Sequence, residues 1–160
     1  MKKVLFVCLG NICRSPSAEG IFQGLVDQAN LSKEIKVDSA GTSSWHIGDP
    51  ADTRMRATAK ERGYDLTSRA RSFGKKDFKD FDYILAMDET NYKDIVKLAR
   101  SPEDEAKVEL MTDYCESHTD TYVPDPYYGG ADGFHYVIDL LEDATSSLLK
   151  KVKSDIDEAH

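Results

Sequence analysis

The run Val4-Leu5-Phe6-Val7, with Lys2-Lys3 before it and Ser15-Pro16 soon after, constrains the fold more than any other feature of the chain. Four apolar residues without polar alternation suit a strand buried on both faces, and hence a parallel sheet covered on each side by helices. The pattern predicts a strand over Lys3–Cys8. Pro16 suits the first turn of a following helix, with Ser15 as its N-cap, and Ala18, Phe22, Leu25 and Ala29 continue at helical spacing. The alternation then recurs. Strands are expected over Ile35–Ser39, running into Ala40-Gly41, over Tyr83–Met87 and over Val108–Met111. Helices are expected over Thr53–Arg62, stopped by Gly63, and near Thr90–Ala99. Val137, Leu141, Ala144, Leu148 and Val152 mark a long closing helix, and residues 112–133, rich in Asp, Tyr, Gly and Pro, read as an ordered loop. The class is α/β, with helices on both faces of a parallel sheet. Ligands in such folds bind beyond the carboxyl ends of the strands, and the segment after Cys8 lies at such an end. No repeat or linker divides the 160 residues, so a single domain over 1–160 is expected.

Charge and cysteine content narrow the function classes. Lys and Arg total 21 against 29 for Asp and Glu, a formal charge of -8. This argues against nucleic-acid binding, which needs a basic face. No apolar run approaches a membrane span. Lys2-Lys3 and the apolar run imitate a signal peptide, but the run is short, Asn11 and Arg14 follow soon, and no small-residue cleavage site appears. Neither nucleic acid nor membrane is expected as a partner. The three cysteines, Cys8, Cys13 and Cys115, are too few and odd in number for a secreted disulfide framework. A reducing cytoplasm is the expected location. No cysteine and histidine cluster has zinc-ligand spacing, so neither a metal nor another cofactor is expected.

The segment Cys8-Leu9-Gly10-Asn11-Ile12-Cys13-Arg14-Ser15 carries the chemistry. It leaves a buried strand and enters a helix. Consecutive backbone N–H groups in such a turn converge on an anion, and the helix N-terminus adds favourable potential. Gly10 permits unusual backbone angles, and Asn11 tolerates left-handed ones. Arg14 offers planar, bidentate donors matched to phosphate oxygens. Cys8 stands where the same field favours a thiolate, and Ser15 is placed to donate its hydroxyl to that sulfur. The local field also resolves the tension with the acidic surface, because charges beyond roughly a Debye length of ~8–10 Å are screened. A bare Cys-x5-Arg is a weak pattern, and a strand cysteine is often only a core residue. The preceding strand, the internal Gly10 and the Ser15-Pro16 helix start make it specific.

Thiolate attack on a phosphate monoester expels an oxygen that needs a proton, so a carboxylic acid should stand above the loop. The best placed is Asp125 in Val123-Pro124-Asp125-Pro126-Tyr127-Tyr128, stiffened by prolines and walled by tyrosines suited to an aromatic ring. A turn aspartate beside core tyrosines is the plainer alternative.

The sequence resembles the low-molecular-weight protein tyrosine phosphatase family over nearly its full length. The segments Val7–Pro16, Asp38-Ser39-Ala40-Gly41-Thr42, Ala86-Met87-Asp88 and Val123–Tyr127 carry the resemblance. It implies a flavodoxin-like fold with a four-stranded parallel sheet, no metal, and phosphotyrosine proteins or peptides as substrates, with inorganic phosphate or other oxyanions binding in the loop. By matching position, Cys8 is the nucleophile that forms a phosphocysteine. Arg14 binds the phosphoryl group and Asp125 is general acid, then general base. Leu9 to Ser15 cradle the phosphate, Asn11, Ser15 and Ser39 support the loop, and Ile12, Trp45, Tyr127 and Tyr128 line the cleft. Asp88 matches a family aspartate with a structural role near the site. Cys13 matches a partner for a reversible disulfide with Cys8 that protects against overoxidation. One departure is visible: some members have a histidine in the loop network where this chain has Ser68.

Two rivals on the same fold are weakened by the sequence. Thioredoxin-coupled arsenate reductases need two further cysteines outside the loop, and here only Cys115 remains. Protein-arginine phosphatases typically have threonine where this chain has Ile12. A phosphopeptide-binding module without turnover would not need Cys8, Arg14 and Asp125 together.

Overall fold

Successive side chains of the first strand, β1 (Lys2–Cys8), feed two different cores. Val4, Phe6 and Cys8 join one cluster with Phe22 and with Val137 and Leu141. Leu5 and Val7 join a second with Phe78, Ile84 and Ile95. That is why the run shows no polar alternation: neither face of the strand meets water. Val4 to Val7 are completely buried, and each such large side chain contributes roughly 1.5–3 kcal/mol. Phe6 meets Phe22 edge-on, with ring centroids 5.6 Å apart.

The computed structural model describes residues 1–128 and 130–159, with Tyr128 described by its backbone alone. After β1 come α1 (Arg14–Gln28), β2 (Ile35–Gly41), α2 (Thr53–Glu61), α3 (Lys76–Asp80), β3 (Tyr83–Ala86), α4 (Glu89–Val96), α5 (Pro102–Ala106), β4 (Val108–Leu110) and α6 (Ala131–Glu158). Short 3-10 turns at Met111–Tyr114 and Pro126–Tyr128 precede α6. The sheet has the order β2-β1-β3-β4, and every pair is parallel. Helices α1 and α6 pack on one face, while α3 and α4 supply the apolar side chains of the other. This is a flavodoxin-like three-layer α/β fold. The chain runs from β1 outward to β2, then returns to β3 on the opposite side of β1. That reversal opens a crevice beyond the carboxyl ends of β1 and β3, where the Cys8 loop lies.

Two details position the loop. At the end of β2, Gly41 approaches it so closely that an added Cβ would stand 2.8 Å from the Leu9 carbonyl oxygen, so only glycine fits. Asn11 has a φ of 56°, in the left-handed region that asparagine tolerates.

Several expectations needed correction. Ser15 is not the N-cap of α1: the helix starts at Arg14, Cys13 stands at the cap without a side-chain bond, and the Ser15 hydroxyl is engaged by Cys8 and Asn11. Helix α4 stops at Val96, short of Ala99. The region 112–133 is less irregular than expected, with two 3-10 turns and the first residues of α6 inside it. The short helices α3 and α5 were not foreseen, being too short to show a 3.6-residue period.

Candidate active site

The loop from Cys8 to Ser15 turns its carbonyls toward the protein. Cys8 O accepts from Thr42 N, Leu9 O from Ser43 N, Ile12 O from Asp52 N, and Cys13 O from Ser17 N and the Ser17 hydroxyl. Among the described residues, no amide from Leu9 to Ser15 has an acceptor. Donors without partners, at the N-terminus of a 15-residue helix, are the arrangement that attracts an anion, which makes the loop a candidate anion site. The segment is buried apart from Leu9 and Gly10.

Cys8 stands at the base of this turn, with the Ser15 hydroxyl 3.0 Å from its sulfur. Asn11 organises the curve from beneath. Its Nδ2 donates to Ser15 Oγ at 2.8 Å and to Ser39 Oγ at 2.9 Å, while its Oδ1 accepts from Arg71 N at 3.1 Å. Ser39 Oγ in turn donates to Glu19 at 2.5 Å. The three members expected from the sequence, Asn11, Ser15 and Ser39, are therefore joined. Glu19 was not foreseen. Ser68, at the departure from the family pattern, lies close enough to help hold the pKa of the Glu19 carboxyl down against burial.

Arg14 is a buried guanidinium, 3 % exposed. Its Nη1 donates to Asp88 Oδ2 at 2.6 Å and to the Val123 carbonyl at 3.1 Å, and its Nη2 lies 3.6 Å from Asp125 Oδ2. Burial works against its charge, but Cys8, Asp88 and Asp125 outweigh it and hold the pKa above the ordinary arginine value. Asp88 also caps α4 by accepting from Asn91 N, so one carboxylate fixes both a helix start and the arginine. Leaving such a buried charge unpaired typically costs about 3–5 kcal/mol.

Asp125 lies across the cleft from Cys8. Its Oδ1 accepts from Tyr127 N at 3.0 Å, and its side chain is 32 % exposed. The segment is tethered by Arg54, whose Nη2 donates to the Tyr127 carbonyl at 3.0 Å while pairing with Asp52. The guanidinium also lies over the rings of Tyr127 and Phe134, at 5.4 and 4.9 Å.

One cleft is lined by Cys8, Leu9, Gly10, Ile12, Cys13, Arg14, Trp45, His46, Asp125 and Tyr127. Of the expected cleft residues, Ile12, Trp45 and Tyr127 are brought together here. Trp45, 74 % exposed, stands at the rim. The side chain of Tyr128 lies outside the described residues. His46 was missed: its ring lies against Gly10 and 6.3 Å from the Tyr127 ring, and its place beside Trp45 was the only sequence signal. Burial, then Asp52 and Cys8, push the Cys13 thiol well above the usual cysteine range. Cys8, Cys13 and Cys115 are all free thiols. Among the described residues no group of three or more His, Cys, Asp or Glu side chains could hold a metal ion, and no helix is long and apolar enough to cross a membrane.

Residues 3–158 match the family model described as low molecular weight phosphotyrosine protein phosphatase. The chain is 44% identical over 137 residues to the low molecular weight phosphotyrosine protein phosphatase of Homo sapiens, covering 85% of this chain and 86% of that protein. Among solved structures, a protein tyrosine phosphatase from Entamoeba histolytica with Hepes in its active site superposes with a TM-score of 0.94 at 46% identity, covering 97% of this chain and 99% of that one. An arginine phosphatase of Drosophila superposes at 0.88 and 37% identity, covering 97% of this chain and 99% of that one.

Proposed function

The chain belongs to the low molecular weight phosphotyrosine protein phosphatase family, and we propose that it hydrolyses phosphotyrosine in proteins and peptides, and small aryl phosphates, through a phosphocysteine on Cys8. The observation that carries this reading is the convergence of Cys8, Arg14 and Asp125 on one cleft, above a loop whose amides have no acceptor among the described residues.

The proposed chemistry uses these groups as follows. The phosphate monoester enters with its oxygens on the amides of Leu9 to Ser15 and on Arg14, drawing the guanidinium from Asp125 toward the phosphoryl group. The Cys8 thiolate attacks phosphorus, so a P–S bond forms while the P–O bond to the leaving group breaks. Protonated Asp125 gives its proton to the departing oxygen. A water then attacks the phosphocysteine, Asp125 takes its proton, and the P–S bond breaks with its electrons returning to sulfur. Inorganic phosphate leaves the loop. Charge developing on the equatorial oxygens meets donors already in place, the largest single contribution expected in such sites. Ser15 stabilises the thiolate both as starting nucleophile and as leaving group.

Ile12, Trp45 and Tyr127 favour an aromatic substituent, and the apolar Ile12 disfavours the guanidinium of phosphoarginine. Cys13, whose thiol burial and then Asp52 and Cys8 hold well above the usual cysteine range, is read as the partner of a reversible disulfide with oxidised Cys8, which it attacks only through its small thiolate fraction. Such a pair belongs in a reducing cytoplasm. No metal or other cofactor enters any step, and the domain that performs them spans 1–160.

Phosphate release from a phosphotyrosine peptide, p-nitrophenyl phosphate and phosphoarginine tests the reading. Turnover of the two aryl esters, lost in Cys8→Ser, is expected. Preferential phosphoarginine turnover would overturn the aryl assignment.

A further inference from the structure

Between the Met111–Tyr114 turn and Asp125 the chain forms no helix or strand, so its backbone groups must find partners elsewhere. Three consecutive amides find the same one. Asp143, on α6, accepts from Glu116 N at 2.9 Å through Oδ1. Its Oδ2 accepts from Ser117 N at 2.9 Å, from His118 N at 3.0 Å and from His118 Nδ1 at 2.7 Å. Successive amides in such a turn make a nest for an anion, and here the occupant is a carboxylate of the protein itself. Burial works against its charge, but the Glu116 amide, the His118 ring and the Ser117 amide outweigh it and hold Asp143 below the ordinary aspartate value. An ionised carboxylate only accepts, so His118 Nδ1 carries the hydrogen between them.

From there the segment follows α6 back toward that helix's start. The Cys115 thiol donates to the Leu140 carbonyl at 3.8 Å. The His118 ring stands edge-on to the Tyr136 ring, with centroids 6.2 Å apart, and the Tyr136 hydroxyl meets the two Asp120 oxygens at 2.9 and 2.8 Å. Tyr136, Leu140 and Asp143 recur at the spacing of one helical face. The helix itself is immobilised by its buried side chains Val137, Leu141 and Ala144. Among the described residues the amides of Thr119 to Tyr122 have no acceptor. The next backbone anchor is Val123, whose amide donates to the Met87 carbonyl at 2.8 Å and whose carbonyl accepts from Arg14. Asp125 follows two residues later.

We propose that Asp143 is a positioning residue: by collecting the amides of Glu116 to His118 it straps the acid-bearing segment to α6 and sets where Asp125 stands above Cys8. This rests on the reading of Asp125 as the general acid. Pro124 and Pro126 stiffen only the residues beside Asp125. Upstream of Val123 the order comes from Asp143 and from the Asp120–Tyr136 contact. Without Asp143 three donors lose their acceptor together, and the freed chain gains conformational entropy that pulls against the two bonds at Val123. Asp125 inherits that looseness, whereas Arg14 keeps Asp88 and the phosphate loop keeps its own contacts.

The test reads amide hydrogen exchange and leaving-group dependence in wild type, Asp143→Ala and Asp143→Asn. In Asp143→Ala the Val123 amide should exchange roughly tenfold faster, while the Met87 amide, bonded to Val7 within the sheet, is unchanged. For the same variant kcat/KM should fall about fivefold on phenyl phosphate and less than about twofold on p-nitrophenyl phosphate, with phosphate affinity unmoved. Asp143→Asn keeps one acceptor oxygen, enough for Ser117 and His118 but not for Glu116, and should give smaller changes in both readouts. Adding Asp143→Ala to Asp125→Asn should cost nothing further on either ester, because the acid it positions is gone. A Val123 amide as protected in Asp143→Ala as in wild type, or equal losses on the two esters, overturns the proposal. If Asp143→Ala does not fold, Asp143→Asn decides it: a Val123 exchange rate and an ester ratio equal to those of wild type overturn it. A wild type that hydrolyses neither ester would refute the proposed function, and the Val123 exchange rate then judges the strap alone.

Discussion

The two halves of the cleft are built on different plans. The proposed anion-binding half, Cys8 to Ser15, is cut into the core: Arg14 is 3 % exposed and is fixed by Asp88 and a backbone carbonyl, while Asn11 and Ser15 are buried beneath the curve. The half around Asp125, the proposed proton donor, is a surface segment with that side chain 32 % exposed, tied down chiefly by Arg54 and by its own turn. The difference is what the proposed chemistry asks of each. Oxyanion stabilisation works when donors are fixed before the charge appears. An acid that becomes a base must exchange protons with water and adjust to leaving groups of different shape.

If that division is right, substitutions should separate cleanly. Cys8→Ser should abolish turnover while phosphate still binds within roughly tenfold of wild type, a difference of about 1.4 kcal/mol, because the loop amides remain. Loss of phosphate binding by a folded Cys8→Ser protein, followed by calorimetry, would break the comparison at its strongest point. Next, Arg14→Lys should lower kcat by roughly 10²–10³-fold and weaken phosphate binding together, since a single ammonium cannot replace a bidentate donor. Asp125→Asn should cost about 10²-fold in kcat on phosphotyrosine, far less on an activated aryl ester, and leave phosphate affinity unchanged. Equal losses on both esters would remove Asp125 as the acid.

Two smaller effects sharpen the picture. Arg54→Ala releases the Tyr127 carbonyl and two ring contacts, so kcat should fall about fivefold, on the order of 1 kcal/mol, without a change in phosphate binding. Glu19 bears on stability through its burial. Its folded-state pKa is raised, so its contribution is fully present below the unfolded value of about 4.3 and is lost as pH rises through the folded value. The Tm of wild type relative to Glu19→Gln should therefore fall between pH 4 and pH 7. A difference that stays flat across that range would show that burial does not oppose its charge.

The buried half was also the half most legible in the sequence. The run Val4–Val7 implied a strand with two covered faces, and the sheet supplies both. Cys8, Asn11, Arg14 and Ser15 are close in the chain, so local reasoning placed them. Ser15 alone was misread, because its hydroxyl serves sulfur and Asn11 rather than capping the helix. The rest depended on long-range contacts. Glu19 meets Ser39, and Arg54 meets Tyr127, only after the sheet and α2 are in place. His46 carries no pattern of its own beyond its neighbour Trp45. Helix α5 did leave a signal in Ser101-Pro102, with Ser101 accepting from Asp104 N, but five residues are too few for periodicity to reveal.

The central claim is that Cys8 is covalently phosphorylated during turnover. Rapid mixing of the enzyme with excess p-nitrophenyl phosphate, labelled in the phosphoryl group, tests it most directly when phenolate release and acid-quenched protein are followed together. The expected result is a burst approaching one equivalent of phenolate per chain, with the label recovered on the peptide that carries Cys8. Turnover that leaves no label on Cys8 at any time, or places it on another residue, would contradict it.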